Sequence, residues 1–411
     1  MSRVRFCSSG VGSPVVLALT TRLQAYAWGA VDGMAELAGT EPTGGPEAEL
    51  WAGAHPKAPS LLDDGRGLDE VVAEGPERLL GRQVVDRFGP RLPFLLKLLC
   101  IARPLSIQLH PTAAQAQEGF AREEAAGIEL DAPSRTYRDP FAKPEVFVAL
   151  RPTWILAGFR RRADVVSDLR RLGDPVLDPL TERMAGAPDG RDALAHLLGV
   201  SGPERSALVA AAARADDCSD TAVIGWIRRL AAAYPHDPTA LAPLLLELRR
   251  VSPGEGVLLP AGVPHAYLHG AGVELMGASD NVVRGGLTAK HVDPAELARL
   301  LAPPGVAMVA LPGRDVAEGT RLYDPGEAEI ALYRIEPDGS AVTAPSGHGP
   351  ALALAVGGAP EVTTASGRTE VLGRGRAVLV SASERSACRI SGTGSVWWAT
   401  TGDELGPPSG S

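Results

Sequence analysis

The chain has 411 residues, 45% of them hydrophobic and 22% charged, an ordinary globular composition whose length predicts two or three domains rather than one. Lys and Arg number 40 against 49 Asp and Glu, a formal charge of −9 with no basic block, which excludes a nucleic-acid partner held by phosphate neutralisation. No run approaches the roughly 20 apolar residues of a membrane-spanning helix, and Cys7, Cys100, Cys218 and Cys388 are too widely spaced for a disulfide framework or a thiolate metal site, so a cytoplasmic protein is expected.

At the start of the chain, Arg3 and Arg5 followed by Pro14-Val-Val-Leu-Ala-Leu19 faintly imitate a secretion signal. Gly10, Gly12 and Pro14 interrupt the apolar run, which argues against one. From there Gly and Pro, 47 and 35 in number, punctuate short apolar runs and predict many short strands and turns. Leu105-Ser-Ile-Gln-Leu-His-Pro111 alternates with the period of a strand, which puts Ser106, Gln108 and His110 on one face. Lys143-Pro-Glu145 then opens the apolar run Val146–Leu150, with Glu145 as a candidate carboxylate ligand.

Residues 160–250 read differently. Apolar residues recur there at three- and four-residue intervals in 163–172, 192–198, 206–214 and 222–234, with breaks at Asp189-Gly190, Ser201-Gly202-Pro203 and Pro235–Pro238. The period predicts a helical insertion.

Next comes the strongest local signal, Gly254-Glu-Gly-Val-Leu-Leu-Pro260-Ala-Gly262-Val-Pro264-His265. A turn glycine launches a short strand, Pro260-x-Gly262 turns it, and the following strand opens by aiming His265 inward, as in the second cupin motif. Taken singly, Gln108 reads as a strand hydrogen-bonder and Glu145 as a surface charge. Together Gln108, His110, Glu145 and His265 offer two imidazoles and two oxygens, a set suited to Zn²⁺ and tolerant of Mn²⁺ or Co²⁺. Beyond the hairpin, Val273–His291 is dense in glycines and charges. Its Arg284 and Lys290 can line a cleft for an anionic substrate. After Pro312, the runs 330–335, 351–356, 377–380 and 395–399 predict a small antiparallel sandwich in which His348 is structural, and the tail after Gly402 predicts disorder.

The sequence resembles the type I phosphomannose isomerase family (mannose-6-phosphate isomerase, class I). The resemblance rests on ordered blocks from about Leu19 to Asp293: Gln24–Gly29, Ala48–Ser60, Pro93–Leu99, Leu105–Pro111, Lys143–Glu145, Pro264–Tyr267 and Glu274–Lys290. It implies a mainly β fold of cupin-type (jelly-roll) barrels with an inserted α-helical domain, divided as 16–153 and 249–311 for the catalytic barrel, 154–248 for the insertion and 312–404 for a second cupin-like domain. One Zn²⁺ per chain on Gln108, His110, Glu145 and His265 is implied as well. The matching cleft residues are Lys97, Ser106, Lys143, Glu274, Asp280, Arg284 and Lys290, with Lys97, Ser106 and Lys290 against the sugar phosphate and Arg284, Lys143, Glu274 and Asp280 in catalysis. The implied reaction interconverts mannose 6-phosphate and fructose 6-phosphate through a cis-enediol. Its base is left open among Lys143, Glu274, Asp280 and a water at the metal. The oligomeric state is also left open, and a monomer satisfies the sequence.

One departure bears on rate or substrate. The family usually places Asn-His before Lys-Pro-Glu, and this chain has Phe141-Ala142. That pair supports an alternative, a related cupin isomerase or epimerase acting on another phosphosugar. A further alternative is a catalytically weak sugar-binding homologue, against which the full ligand set and Arg284 argue.

Overall fold

A computed structural model describes residues 15–215 and 221–402. Cys7, Cys218, Arg3 to Pro14 of the signal-like stretch and the tail beyond Gly402 lie outside them, while the apolar part of that stretch forms the strand Val16–Thr20.

The strand Phe94–Ile101 is buried along its whole length, and its two faces have different neighbours. Leu96, Leu98 and Cys100 join a core shared with the C-terminal sheet, while Leu99 and Ile101 face a second core with Phe147 and Tyr267. Alternation therefore puts Lys97 on the same face as Leu99. This strand belongs to a ten-stranded sheet whose main path runs Val309–Leu311, Gly256–Leu259, Glu145–Phe159, His265–Gly277, Phe94–Ile101, Glu49–Ala52 and Arg22–Gln24. With both faces covered, its strands read as near-continuous apolar runs interrupted where chemistry is placed.

The long strand His265–Gly277 changes face part-way. Its pairing with Glu145–Phe159 shifts register between Tyr267 and His269, between His269 and Ala271 and between Ala271 and Gly272. Each extra residue reverses which side chains point inward. Odd-numbered His265 and Tyr267 thereby face the same interior as even-numbered Glu274, and the Tyr267 hydroxyl donates to Glu274 Oε1 at 3.1 Å. Gly270 makes the shift possible: its φ is 133°, and a Cβ there would lie 2.6 Å from Thr153 Cα.

Between Glu145–Phe159 and Leu246–Val251 the chain forms the helices Arg162–Leu172, Asp178–Gly186, Arg191–Gly199, Gly202–Arg214, Thr221–Ala233 and Ala242–Leu245. Their core, including Leu169, Leu194, Leu208 and Ile227, continues into Ile107, Leu109, Leu268 and Val283. The helical layer thus backs the short strand Gln108–Leu109 and turns Gln108 away from it. Helices also occur where the sequence predicts strands and turns: Leu68–Glu74, Pro76–Leu80, Arg82–Phe88, Ala113–Ala125 and Pro294–Leu300. The first three are too short to show a period, being cut by Gly75, Gly81 and Gly89. Ala113–Ala125 carries a capping box from Thr112 and Gln115 that the apolar spacing did not reveal.

The C-terminal strands Ala331–Ile335, Ala351–Val356, Arg376–Val380 and Ser395–Thr400 fall where the alternating runs predict. With Val16–Thr20, Arg314–Ala317 and Thr320–Tyr323 they form a seven-stranded sheet facing a four-stranded one, with Trp398, Tyr333, Val362 and Ile390 between the two. Trp397, on the other face, packs with the ten-stranded sheet. Val16–Thr20, which the sequence reading grouped with the first barrel, pairs instead with Arg376–Val380.

Gly270→Ala adds a side chain at positive φ and into Thr153, so a loss of about 2–5 kcal/mol is expected. Gly305→Ala shares the positive φ, 89°, but meets nothing within 4 Å, and should lose about 1–2 kcal/mol. Denaturant unfolding of both variants measures the difference.

Candidate active site

Glu145 opens its strand, His265 opens the neighbouring one, and His110 follows Gln108–Leu109 directly. Three strand ends therefore meet. His110 Nε2 lies 3.2 Å and His265 Nε2 3.3 Å from the Glu145 carboxylate, and Lys143 Nζ lies 2.9 Å from it. All four residues are buried, Glu145 being 1% exposed. Burial opposes the charge on Glu145, but His110 and Lys143 outweigh it and hold the carboxyl well below its usual range. Burial pushes the His110 imidazole down to about 4, against the pull of Glu145, so the ring is neutral near pH 7.

The ring nitrogens are sorted by the backbone. His110 Nδ1 lies 2.8 Å from the Asn281 carbonyl and His265 Nδ1 2.9 Å from that of Val263. A carbonyl only accepts, so the imidazole proton sits on Nδ1 and each Nε2 presents a lone pair. Nε2 of both rings and Glu145 Oε2 are buried without a hydrogen-bond partner. One ligand atom from each of the three residues lies within 4.8 Å of the others. Converging acceptors with no donor fit a divalent cation, and two imidazoles with a carboxylate suit zinc. Gln108 pairs directly with His265 across the strands and with Arg284 on its other side, which points all three the same way.

Gln108, paired with His265, and Lys143, in contact with Glu145, line a cavity of about 710 Å³ together with Lys97, Asp280, Arg284 and Lys290, among others. On one wall Lys97 Nζ sits 3.5 Å from Glu49 and 3.3 Å from Glu274. Burial opposes the ammonium, but Glu49 and Glu274 raise its pKa. Burial, with Glu145 and Glu49 nearby, pushes the Glu274 carboxyl up despite Lys97. Glu274 is only 4% exposed and stands behind Lys97. Asp280, also in the lining, pairs with Lys57 at 2.8 Å and with His55 at 3.5 Å. Burial opposes its charge, and hydrogen bonds from His55 and Lys57 prevail, holding its carboxyl well below the usual range. Of the sequence-selected residues, His110, Glu145, His265 and Glu274 are buried behind this lining, and Ser106 lies outside it. It lines an adjoining hollow that shares Arg284 and Lys290 with the first, because the strand pairing begins only at Gln108.

The sequence reading singled out none of Glu49, Trp51, His55, Lys57 or Tyr267 individually. Glu49 and Trp51 carry the signal of a two-residue spacing, Tyr267 repeats that spacing after His265, and His55 and Lys57 follow within the same block.

Residues 16–162 match the model for "Phosphomannose isomerase type I, catalytic domain". The mannose-6-phosphate isomerase of Escherichia coli (strain K12) is 40% identical over 311 residues, covering 73% of this chain and 79% of that protein. The Homo sapiens enzyme is 33% identical over 368 residues, covering 80% and 84%. The chain belongs to the type I phosphomannose isomerase family. The solved mannose 6-phosphate isomerase of Salmonella typhimurium, bound to its substrate F6P and zinc, superposes with a TM-score of 0.83 at 32% identity and covers 94% of this chain and 99% of that one.

Within this family fold Phe141 has a structural task. Its ring centroid lies 3.4 Å from the Arg91 guanidinium carbon, an arrangement that attracts the cation to the ring face. Its carbonyl accepts from Ser279 Oγ at 3.3 Å and Asn281 Nδ2 at 3.0 Å.

Zinc added to metal-free protein should raise Tm, by an amount equivalent to about 2.7 kcal/mol at 100-fold excess over Kd. His110→Ala and His265→Ala should lose most of that shift. Thermal scans with and without a chelator measure it.

Proposed function

We infer that the chain is a metal-dependent aldose–ketose isomerase that interconverts mannose 6-phosphate and fructose 6-phosphate and carries one Zn²⁺. The observation that carries this reading is the trio of buried acceptors on His110, Glu145 and His265, joined through Gln108 and Lys143 to a cavity that Lys97, Arg284 and Lys290 also line. His110, Glu145 and His265 hold the ion, with Gln108 beside them. When bound, it supplies positive charge against the sugar's oxygens, a contribution worth several kcal/mol in such sites.

The reaction moves a proton between C2 and C1 through a cis-enediol, so the protein must handle protons and favour negative charge on oxygen. Of the three side chains left open as base, Lys143 is held by Glu145 at 2.9 Å and Glu274 is screened by Lys97. Asp280 lines the cavity and stays ionised, so it takes the carbon-bound proton as its pairing with His55 and Lys57 loosens. Lys97 faces the cavity as an ammonium backed by the Glu274 carboxyl, which suits it to pass protons among the sugar oxygens. Lys290 anchors the phosphate, with Ser106 in the adjoining hollow, and Arg284 stabilises the enediolate from its position beside Gln108. The same reading takes 16–153 with 249–311 as the catalytic unit, 154–248 as the insertion and 312–404 as the second barrel, completed by Val16–Thr20. The described residues contain no helix long and apolar enough to cross a membrane. A cytoplasmic location is supported by the free, buried Cys100 and Cys388.

A coupled assay of fructose 6-phosphate formation from mannose 6-phosphate, run with and without a chelator, tests the assignment. Turnover absent in zinc-loaded protein, or unaffected by metal removal, would refute it. Arg284→Ala should lower kcat on the order of 10²-fold with KM changed much less, since charge on the enediolate appears only as the proton leaves. Arg284→Lys should recover part, an ammonium lacking the planar fork. A rise in KM at constant kcat would reassign Arg284 to phosphate anchoring. Ala142→His restores the family's imidazole while leaving Arg91 on Phe141, so its kcat should exceed that of the parent. Phe141→Asn combined with Ala142→His removes that stack and should gain less in the same assay.

A further inference from the structure

The hollow adjoining the catalytic cavity has a volume of about 850 Å³ and shares Trp28, Arg284, Ala289 and Lys290 with it. On its own side it is lined by Arg103 and Arg229, and none of its lining residues is acidic. Arg103 lies in the turn after Phe94–Ile101, where its backbone N–H donates to the Trp28 carbonyl at 3.0 Å. Arg229, on the helix Thr221–Ala233, has its guanidinium carbon 4.9 Å from the Trp226 ring centroid. The Tyr234 hydroxyl donates to the Pro104 carbonyl at 2.6 Å, tying the end of that helix to the Arg103 turn. The two arginines are thus presented by elements braced against each other.

Many of this protein's surface cations face acids: Arg66 meets Asp64 and Glu74, Arg299 meets Glu296 and Glu118, and Arg321 meets Asp315. Within the hollow, Arg103, Arg229, Arg284 and Lys290 have no carboxylate at ion-pair distance among the described residues. Their neighbours are cations. Burial lowers the pKa of Lys290, and Arg284, Lys57 and Arg138 lower it further. Positive charges gathered in a concave, partly desolvated space without counter-charges raise the local potential and favour an anion. The sugar monophosphate of the proposed reaction calls on Lys290 and has no use for Arg103 or Arg229. Those two mark room for a second phosphoryl group beyond the first, and Leu105, Ala233 and Leu287 supply apolar wall for whatever it is esterified to.

We propose that this hollow binds a diphosphate group, free or esterified, with one phosphoryl at Lys290 and the other between Arg103 and Arg229. Bound there, the diphosphate excludes the substrate's phosphate and inhibits competitively. This rests on Lys290 being the phosphate anchor of the isomerase reading.

The test uses zinc-loaded enzyme with inorganic pyrophosphate and inorganic phosphate as probes against mannose 6-phosphate. In the parent, pyrophosphate should be competitive with a Ki at least about tenfold below that of phosphate, since two arginines can each engage its second phosphoryl in charge-assisted hydrogen bonds. Arg103→Gln with Arg229→Gln should keep kcat and KM within about twofold and bring the two Ki values within about threefold of each other. A pyrophosphate preference that survives in the double variant overturns the proposal, because metal stripping by pyrophosphate would inhibit both enzymes alike. Equal Ki values in the parent overturn it too. Titration calorimetry of pyrophosphate into parent and double variant reads the hollow without turnover. Absence of isomerase activity with arginine-dependent pyrophosphate binding would therefore refute the catalytic reading and leave the anion site standing.

Discussion

A carboxylate that is 1% exposed must have its charge answered on every side, and Glu145 is the constraint around which the rest of this molecule is arranged. An isolated charge taken out of water costs many kcal/mol or is neutralised by a proton. The Lys143 ammonium answers the Glu145 charge at 2.9 Å, and His110 and His265, from separate stretches of chain, converge on it as acceptors that a bound cation would satisfy. His110 and the approach to Lys143 are in turn fixed by Asn281, whose backbone carbonyl sets the His110 tautomer. Its side chain accepts from the Arg138 N–H and donates to the Asp139 and Phe141 carbonyls. One asparagine therefore orients a ligand and holds the loop that delivers Lys143 and Glu145, and the zinc-dependent isomerase chemistry depends on both.

The two larger additions to the catalytic sheet serve the same end from opposite sides. The C-terminal sheet covers Leu96, Leu98, Val146 and Leu275, so those strands can spend their other face on Lys97, Glu145 and Glu274 without exposing apolar surface. The helical layer covers Ile107, Leu109 and Val283, which leaves Gln108 and Arg284 turned toward the cavity. Phe141, apolar where the family usually has a polar residue, is held by Arg91 rather than exposed.

How much of this could be read beforehand follows from where local pattern and tertiary pairing agree. Ala351–Val356 and Ser395–Thr400 were legible because alternation, turn glycines and strand length all point the same way. His265 was legible from Pro260-x-Gly262, a turn that fixes its own geometry. The matching of His265 and Tyr267 with Glu274 was not, because the register shift around Gly270 is written in the pairing of two strands rather than in either one. Ser106 was assigned to the face of Gln108 by a strand period that begins two residues too early. His55 and Lys57 sit in a loop after Gly53, where no period exists, and acquire their meaning from Asp280, more than 220 positions away. The short helices between Gly67 and Gly89 have too few turns for a stripe, and their packing decides them.

The pairing of Val16–Thr20 with Arg376–Val380 has a consequence for how the molecule is made. Thr20 receives a hydrogen bond from Arg376, 356 positions later. At synthesis rates of about 5–20 residues per second the first strand waits roughly 20–70 s for its partner. Until then only Thr20, bridged to Leu61, has a backbone partner, and the apolar edge that includes Leu19 is open, the circumstance in which unpaired edges seek other chains. The catalytic sheet, whose strands all precede residue 312, is complete earlier and offers Leu19 a core to rest against. Closure of the C-terminal sheet thus waits on Arg376–Val380 meeting a strand made more than 350 residues earlier.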